Sequence, residues 1–279
     1  MRNRLWIPNR TRLEQVPGII LPTRLPLDLP WEPPWWERGQ RWWLSPRAAY
    51  GFVGESALAT GTTTVTPVYA SAVAPNLLVA TVTAQMTTPG SFTLTGATTG
   101  WVQGPNIGAT NIQTEIWYKV AVGSDVMPTW NMAAGTEAAC TISEYSFAAA
   151  TSHVLDKSGT ATGTTTPVTV TAGGTDTTAT DLIVCVRKVR ASGAGLNATS
   201  TDNVNGAGVG TNINVLNDDG GTSQSSHHHD LYVTAAATGG SADTDVATWT
   251  QVTTHAALAI ASFKPVFAAA ANSNFLAFM

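Results

Sequence analysis

The residue types with the most chemical potential sit in a short histidine run, His227-His228-His229-Asp230, with Asp218 and Asp219 close by in sequence. Three imidazoles and a carboxylate are the ligand set of a transition metal. Consecutive residues on an extended chain point to opposite faces, however, so at most two of the three can converge. A catalytic zinc site takes three protein ligands, and no metal is expected here. The run reads instead as a polar loop leading into a strand that begins at Asp230. Glu115, Glu137 and Glu144 supply carboxylates for a glycosidase-type acid–base pair. Glu144 stands out because it interrupts an apolar stretch, yet an edge or outward-facing position accounts for it without catalysis. Asp202-Asn203-Val204-Asn205-Gly206 resembles a calcium loop, but Val204, Gly206 and Ala207 occupy positions 3, 5 and 6, where such a loop needs two oxygen ligands and a glycine. Gly206, Gly208 and Gly210 form GxGxG rather than GxGxxG, with no strand–helix pair around them, which excludes a dinucleotide fingerprint. GxSxG, HExxH and CxxC do not occur. No cofactor and no enzymatic activity are expected.

The elements that carry these residues divide by composition. The first 50 residues hold eight of the 15 prolines, six of the 10 tryptophans and eight of the 14 basic residues, against four acids, a net +4. The other 229 residues carry six basic and fourteen acidic side chains, a net −8. Prolines at 8, 17, 22, 26, 30, 33, 34 and 46 forbid a continuous helix or a central strand. An extended arm with polyproline II stretches follows. Disordered linkers are poor in aromatics, whereas this segment carries Trp6, Trp31, Trp35, Trp36, Trp42 and Trp43. At roughly 150–250 Å² each, they bring on the order of 1,000 Å² of apolar surface, about one side of a standard interface. These six, with Arg38 and Arg41 as stacking or carboxylate-pairing groups, are the expected partner-docking residues. The arm either folds over its own domain or drapes over neighbouring subunits, and the second is the functional expectation.

Residues 51–265 read as β throughout. Thr-, Val- and Ile-rich runs alternate with Gly, Asn, Asp and Pro clusters, and charged residues are only 11% of the chain. Expected strands are 62–68, 76–84, 91–95, 114–122, 138–145, 166–171, 181–189, 230–236 and 256–263. The piece 190–229 reads as a long loop with one weak strand at 212–216, and 266–279 as an apolar tail. Cys140 and Cys185 lie within apolar runs and are expected as buried free thiols. The acidic balance argues against nucleic acid. No apolar window reaches the length of a membrane span, and the first twenty residues lack the uninterrupted apolar stretch of a signal peptide.

The body is also duplicated. Thr66-Pro67-Val68 and then Asn76-Leu77-Leu78-Val79 are matched by Thr166-Pro167-Val168 and then Asp181-Leu182-Ile183-Val184. Thr129-Trp130-Asn131 before AACTISEY (138–145) is matched by Thr248-Trp249-Thr250 before AALAIASF (256–263). Halves of about 62–147 and 166–265, four strands each, predict an antiparallel, eight-stranded, jelly-roll-like double sheet. Trp130 and Trp249 are expected to plug its opposite ends.

The succession NLLVATVTA, Gly100-Trp101, IWYKVA (116–121), ISEYS (142–146), DLIVCV and ASFKP (261–265) resembles the β-sandwich modules of bacteriophage virion proteins, namely tail, fibre and capsid-decoration components. The likeness covers about residues 50–265. The family pattern typically has EYSG or EYRG, where this chain has Phe147 in place of the glycine. The resemblance implies a structural protein located in the virion, partnered by other virion proteins and by copies of itself. The alternative is a carbohydrate-binding adhesion module that takes a host surface glycan through loop residues such as Asn203, Asn205, Asn212 and Asn214.

Overall fold

A computed structural model describes residues 50–70, 72–165, 168–171, 173, 181–191, 201–204, 207–208, 212–218, 225–233, 244–248 and 255–268. The docking residues Trp6, Trp31, Trp35, Trp36, Arg38, Arg41, Trp42 and Trp43 lie outside them, as do Trp249 and Asn205. The chain divides into Met1–Pro46 and Arg47–Met279, and the second unit is the one described here.

The first half of the body supplies nine strands. They are β1 (Gly51–Glu55), β2 (Ala59–Gly61), β3 (Thr64–Val65), β4 (Leu77–Met86), β5 (Thr93–Thr95), β6 (Val102–Ala109), β7 (Ile112–Val120), β8 (Thr129–Asn131) and β9 (Gly135–Ser146). The second half supplies β10 (Ala150–Gly163), β11 (Val168–Thr171), β12 (Leu182–Ala191), β13 (Thr201–Val204), β14 (Ala207–Gly208), β15 (Asn212–Asp218), β16 (Ser225–Val233), β17 (Thr244–Thr248) and β18 (His255–Phe267). Every pairing is antiparallel, and the described residues contain no helix.

The duplication is visible in the strand order. The large sheet of the first half runs β1-β9-β4-β7-β6, and that of the second runs β10-β18-β12-β16-β15. The small sheets run β3-β8-β5 and β11-β17-β13-β14. Position for position, the first five strands and the next three correspond. The register agrees as well. Leu77 pairs with Tyr145 and Leu182 with Phe263, while Ile142 and Ile260 face Ala80 and Cys185. Each edge strand carries a bulge at the same place, between Phe52 and Gly54 in β1 and between Leu155 and Lys157 in β10.

Two sequence expectations are corrected. Each half contributes a large and a small sheet of its own, so the body is not one eight-stranded double sheet built from four strands per half. The Thr-Pro-Val anchors are also out of step. Ala59-Thr60-Gly61 pairs with Cys140, Ala139 and Ala138, as Ala161-Thr162-Gly163 pairs with Leu258, Ala257 and Ala256. The true equivalence is the identical hexapeptide ATGTTT at 59–64 and 161–166. It sets Thr166 against Thr64 rather than Thr66.

Alternation within the strands makes the layers. In β4, Leu78, Ala80, Val82, Ala84 and Met86 face a core shared with Cys140, Ile142, Phe92, Trp101 and Trp130, lying between the large sheet and its small one. Leu77 and Val79 face the other way, into a core shared with Leu182, Val184, Ala261 and Phe263 of the second half. The two large sheets therefore meet through equivalent faces. Tyr118 stacks edge-on against Phe263 near one end of the seam, and the buried Lys188 ion-pairs with Glu137 near the other. Equivalent ends thus lie together, the arrangement of a pseudo-two-fold axis along the strands. Trp130, the central residue of the central strand of a small sheet, is wholly buried and meets Trp101 edge-on at 5.5 Å. It fills the space between layers and is not the end plug expected.

Several strands escaped the sequence reading. β10 (ATSHVLDKSGTATG) and β6 (VQGPNIGA) are polar because both are edge strands, and Pro105 of β6 sits at a bulge between Gln103 and Asn106. The piece 190–229 is no single loop. β13, β14, β15 and the start of β16 fall in it, held by ladders to β17 and β12 that need no apolar run. β18 runs on to Phe267, two residues into the expected tail. Both cysteines are free and buried, as the sequence implied.

Candidate functional site

The three carboxylates considered for catalysis are each engaged separately. Glu115, on β7, is wholly buried. Its Oε1 accepts from the Phe92 N–H and from Gln113 Nε2, both at 3.0 Å. Its Oε2 accepts from Gln103 Nε2 at 3.0 Å and Trp117 Nε1 at 2.8 Å. Burial pushes its carboxyl above the usual range, and the four donors oppose that without cancelling it. Glu144, on β9, is equally buried. It accepts from the Val73 N–H at 2.8 Å, Asn76 Nδ2 at 2.6 Å and the Tyr69 hydroxyl at 2.6 Å. Glu144 is thus inward-facing and satisfied, on a strand between β1 and β4, contrary to the edge or outward position expected. Glu115 stands opposite Val82 and Glu144 opposite Leu78, on different sides of β4. Four residues of strand put them about 13 Å apart along the sheet, beyond the roughly 5–9.5 Å that a glycosidase pair spans. Glu137, opposite Gln85, is further along still.

The histidine run lies inside a strand rather than before one, because β16 begins at Ser225. His227, His228 and His229 pair with Val189, Lys188 and Arg187 on one side. On the other side they pair with Asn217, Leu216 and Val215. Of the asparagines considered for sugar binding, Asn203 belongs to β13 in a small sheet, and Asn212 and Asn214 to β15 at the edge of a large one.

What the structure does gather in one place lies at a single end of the body. Here β1, β4, β6, β10 and β12 begin, and β7, β9, β16 and β18 finish. Tyr50, the first described residue, is buried against Phe147 with ring centroids at 5.1 Å. Phe147 in turn meets Phe267, at the end of β18, at 5.8 Å. The beginning and the end of the described body are therefore linked by three aromatic rings. Phe147 is the middle ring. The Tyr50 hydroxyl lies 2.9 Å from Nδ1 of the buried His153. Burial pulls the His153 imidazole below its usual value, and its bond to the Pro75 backbone opposes that. Burial, followed by the charge of Asp181, pushes the Tyr50 phenol far up. Lys119 and Asp125 pair at 2.5 Å at this same end. Although burial works against it, the Lys119 ammonium and the Val122 and Gly123 N–H groups hold the Asp125 carboxyl below the usual carboxylate range. Lys264, near the end of β18, pairs with Asp156 at 2.6 Å.

No family model, curated protein or solved structure matches the chain.

The sequence reading did not single out Tyr50, His153, Tyr69 or Asn76. Asn76 had a signal, because it occupies the position of Asp181 in the second half. An amide in one copy and an acid in the other, each at the start of a buried strand, marks a polar anchor.

Proposed function

We propose that this chain is a structural protein of a bacteriophage particle, a tail, appendage or capsid-associated component located in the virion, which assembles through its first 50 residues. The observation that carries the reading is the contrast within one polypeptide. A +4 segment with six tryptophans and eight prolines precedes a −8 body. The body's buried carboxylates Glu115 and Glu144 are taken up by its own donors. A body whose polar interior serves its own layering, joined to an aromatic arm, is suited to assembly rather than turnover. Trp6, Trp31, Trp35, Trp36, Trp42 and Trp43 are the desolvated anchors that interfaces favour, and Arg38 and Arg41 their charged companions. The prolines lower the entropy lost when the arm is ordered on a partner.

The strand order also supports the capsid-associated form of this reading. β1-β9-β4-β7 facing β3-β8-β5 is the order of a jelly roll, an architecture used in capsid and lectin domains, with β6 moved beside β7. On this reading the body is two jelly-roll variants in tandem. Since fold alone does not give function, the arm carries the argument.

The test is deletion of residues 2–47 followed by assembly with the remaining virion proteins. The truncated body is expected to stay folded, by circular dichroism, and to be missing from purified particles. Normal incorporation of the truncated protein refutes the assembly arm. Binding of the intact chain to a glycan array would favour the adhesion-module alternative.

A further inference from the structure

One side chain of the second half reaches two separate segments of the first. The buried His153 of β10 meets Tyr50, just before β1, and the Pro75 backbone, just before β4. Proline has no backbone N–H, so the imidazole donates to the Pro75 carbonyl. A neutral imidazole has one donor and one acceptor nitrogen. With its donor spent on Pro75, it takes the Tyr50 hydroxyl proton at Nδ1, 2.9 Å away. The strand that Tyr50 leads into has little else to hold it. β1 is five residues long and none of them is buried. It lies at the edge of its sheet, pairs with β9 and carries a bulge between Phe52 and Gly54. Tyr50, 3% exposed, is the part of this segment fixed by burial. Its ring packs on Phe147 and on His153, with centroids at 5.1 and 5.4 Å. A short edge strand with few buried contacts is the kind of element that opens locally.

We propose that His153 is a proton-operated latch: neutral, it holds Tyr50 and so closes β1 onto the body, and protonated, it lets β1 open while the rest of the sheet stays folded. Counting donors and acceptors gives the reason. An imidazolium has two N–H groups and no acceptor. The phenolic hydrogen then loses its acceptor, and the Tyr50 hydroxyl has no other hydrogen-bond partner among the described residues. A buried cation is added at the same place, which is costly without a counter-charge. The neighbouring elements do not supply one. On β10, Asp156 is paired with Lys264 of β18, and the next residue is Lys157. Beside Pro75, Asn76 donates to Glu144 of β9, which also accepts from Tyr69. Asp181, before β12, acts on the Tyr50 phenol rather than on the imidazole. Glu55 stands at the far end of β1 from Tyr50. Burial accordingly favours the neutral ring. The latch goes beyond the assembly reading and operates whatever the chain assembles with.

The experiment is amide hydrogen exchange of the full-length chain at about pH 7.5 and about pH 5. Peptides covering 50–56 and 77–86 are compared, each rate divided by its intrinsic rate at that pH. An imidazole that titrates at about 6.5 once released draws the opening equilibrium by at most about thirtyfold over this interval. Opening at 50–56 is expected to rise about tenfold or more in wild type, while β4 keeps its protection. His153→Gln, whose amide offers a donor and an acceptor at every pH, is expected to show no rise. An NMR titration of the His153 ring needs no variant, and its midpoint is expected below 6.5. A wild type whose 50–56 segment is no more open at the acid pH overturns the latch. So does equal opening of β4, which is general unfolding, an equal rise in His153→Gln, or a ring midpoint at or above 6.5. Should His153→Gln fail to fold, the wild-type peptides and the ring titration decide by themselves.

Discussion

Glu115 offers the sharpest test of what holds the first half together. Replacing it with leucine removes a charge that burial disfavours, which by itself would stabilise. It also takes the acceptor from four donors. Gln103 and Trp117 are half-buried and can turn to water. Gln113 and the Phe92 N–H are in the interior and cannot. Two stranded buried donors cost about 1–3 kcal/mol each, so Glu115→Leu is expected to lose about 2–6 kcal/mol. Glu115→Gln keeps one acceptor oxygen and presents an amide to donors on the other side, and a loss of about 1–3 kcal/mol is expected. Urea unfolding of the full chain, with the slope checked for constancy, gives the order wild type, then Gln, then Leu. The pH dependence adds a sign. The folded carboxyl lies above its unfolded value of 4.5. Its contribution is therefore full below that value and is lost as pH rises through the folded value. The margin of wild type over Glu115→Gln should shrink across that window. A leucine variant as stable as wild type at every pH would refute the account, because desolvation relief would then outweigh the stranded donors.

The repeat supplies a second prediction through its two equivalent glycines. A β-carbon on Gly61 would collide with the Thr64 backbone carbonyl, whereas one on Gly163 would meet only the Val168 side chain. Gly61→Ala should lower the melting temperature clearly more than Gly163→Ala, and equal shifts would remove the argument. The third concerns His153, whose folded value lies below the unfolded 6.5. Its contribution is complete above 6.5 and is lost as pH falls toward the folded value. Wild type should lose stability across that interval and His153→Gln should not, as thermal melts in a pH series will show.

The duplication was legible because buried strands keep a readable pattern. NLLV and DLIV, and AACTISEY and AALAIASF, align in sequence as their registers align in space. A strand between two cores must be apolar on both faces, and that signal survives divergence. β6 and β10 were not legible, because an edge strand is defined by its ladder, not by its side chains. Ser158, Gly159 and Thr160 of β10 say nothing by themselves. Their partners Ala261, Ile260 and Ala259 say everything. The roles of Glu115 and Glu144 were hidden for a related reason. A satisfied buried carboxylate differs from an exposed one only by donors as remote in sequence as Tyr69 and Gln103.

The seam between the halves is symmetric in its frame and asymmetric in its chemistry. When two identical chains pair about a two-fold axis, every substitution in the contact appears twice, and an ion pair taken into the seam must be desolvated twice over. Once both copies share one polypeptide, that coupling is broken. Lys188 faces Glu137, while the mirrored positions, by register, hold Thr83 and His255. The costly charge pair is borne once. A single polypeptide thus permits asymmetric chemistry on a symmetric frame: a change in one half of the contact is not imposed on the other.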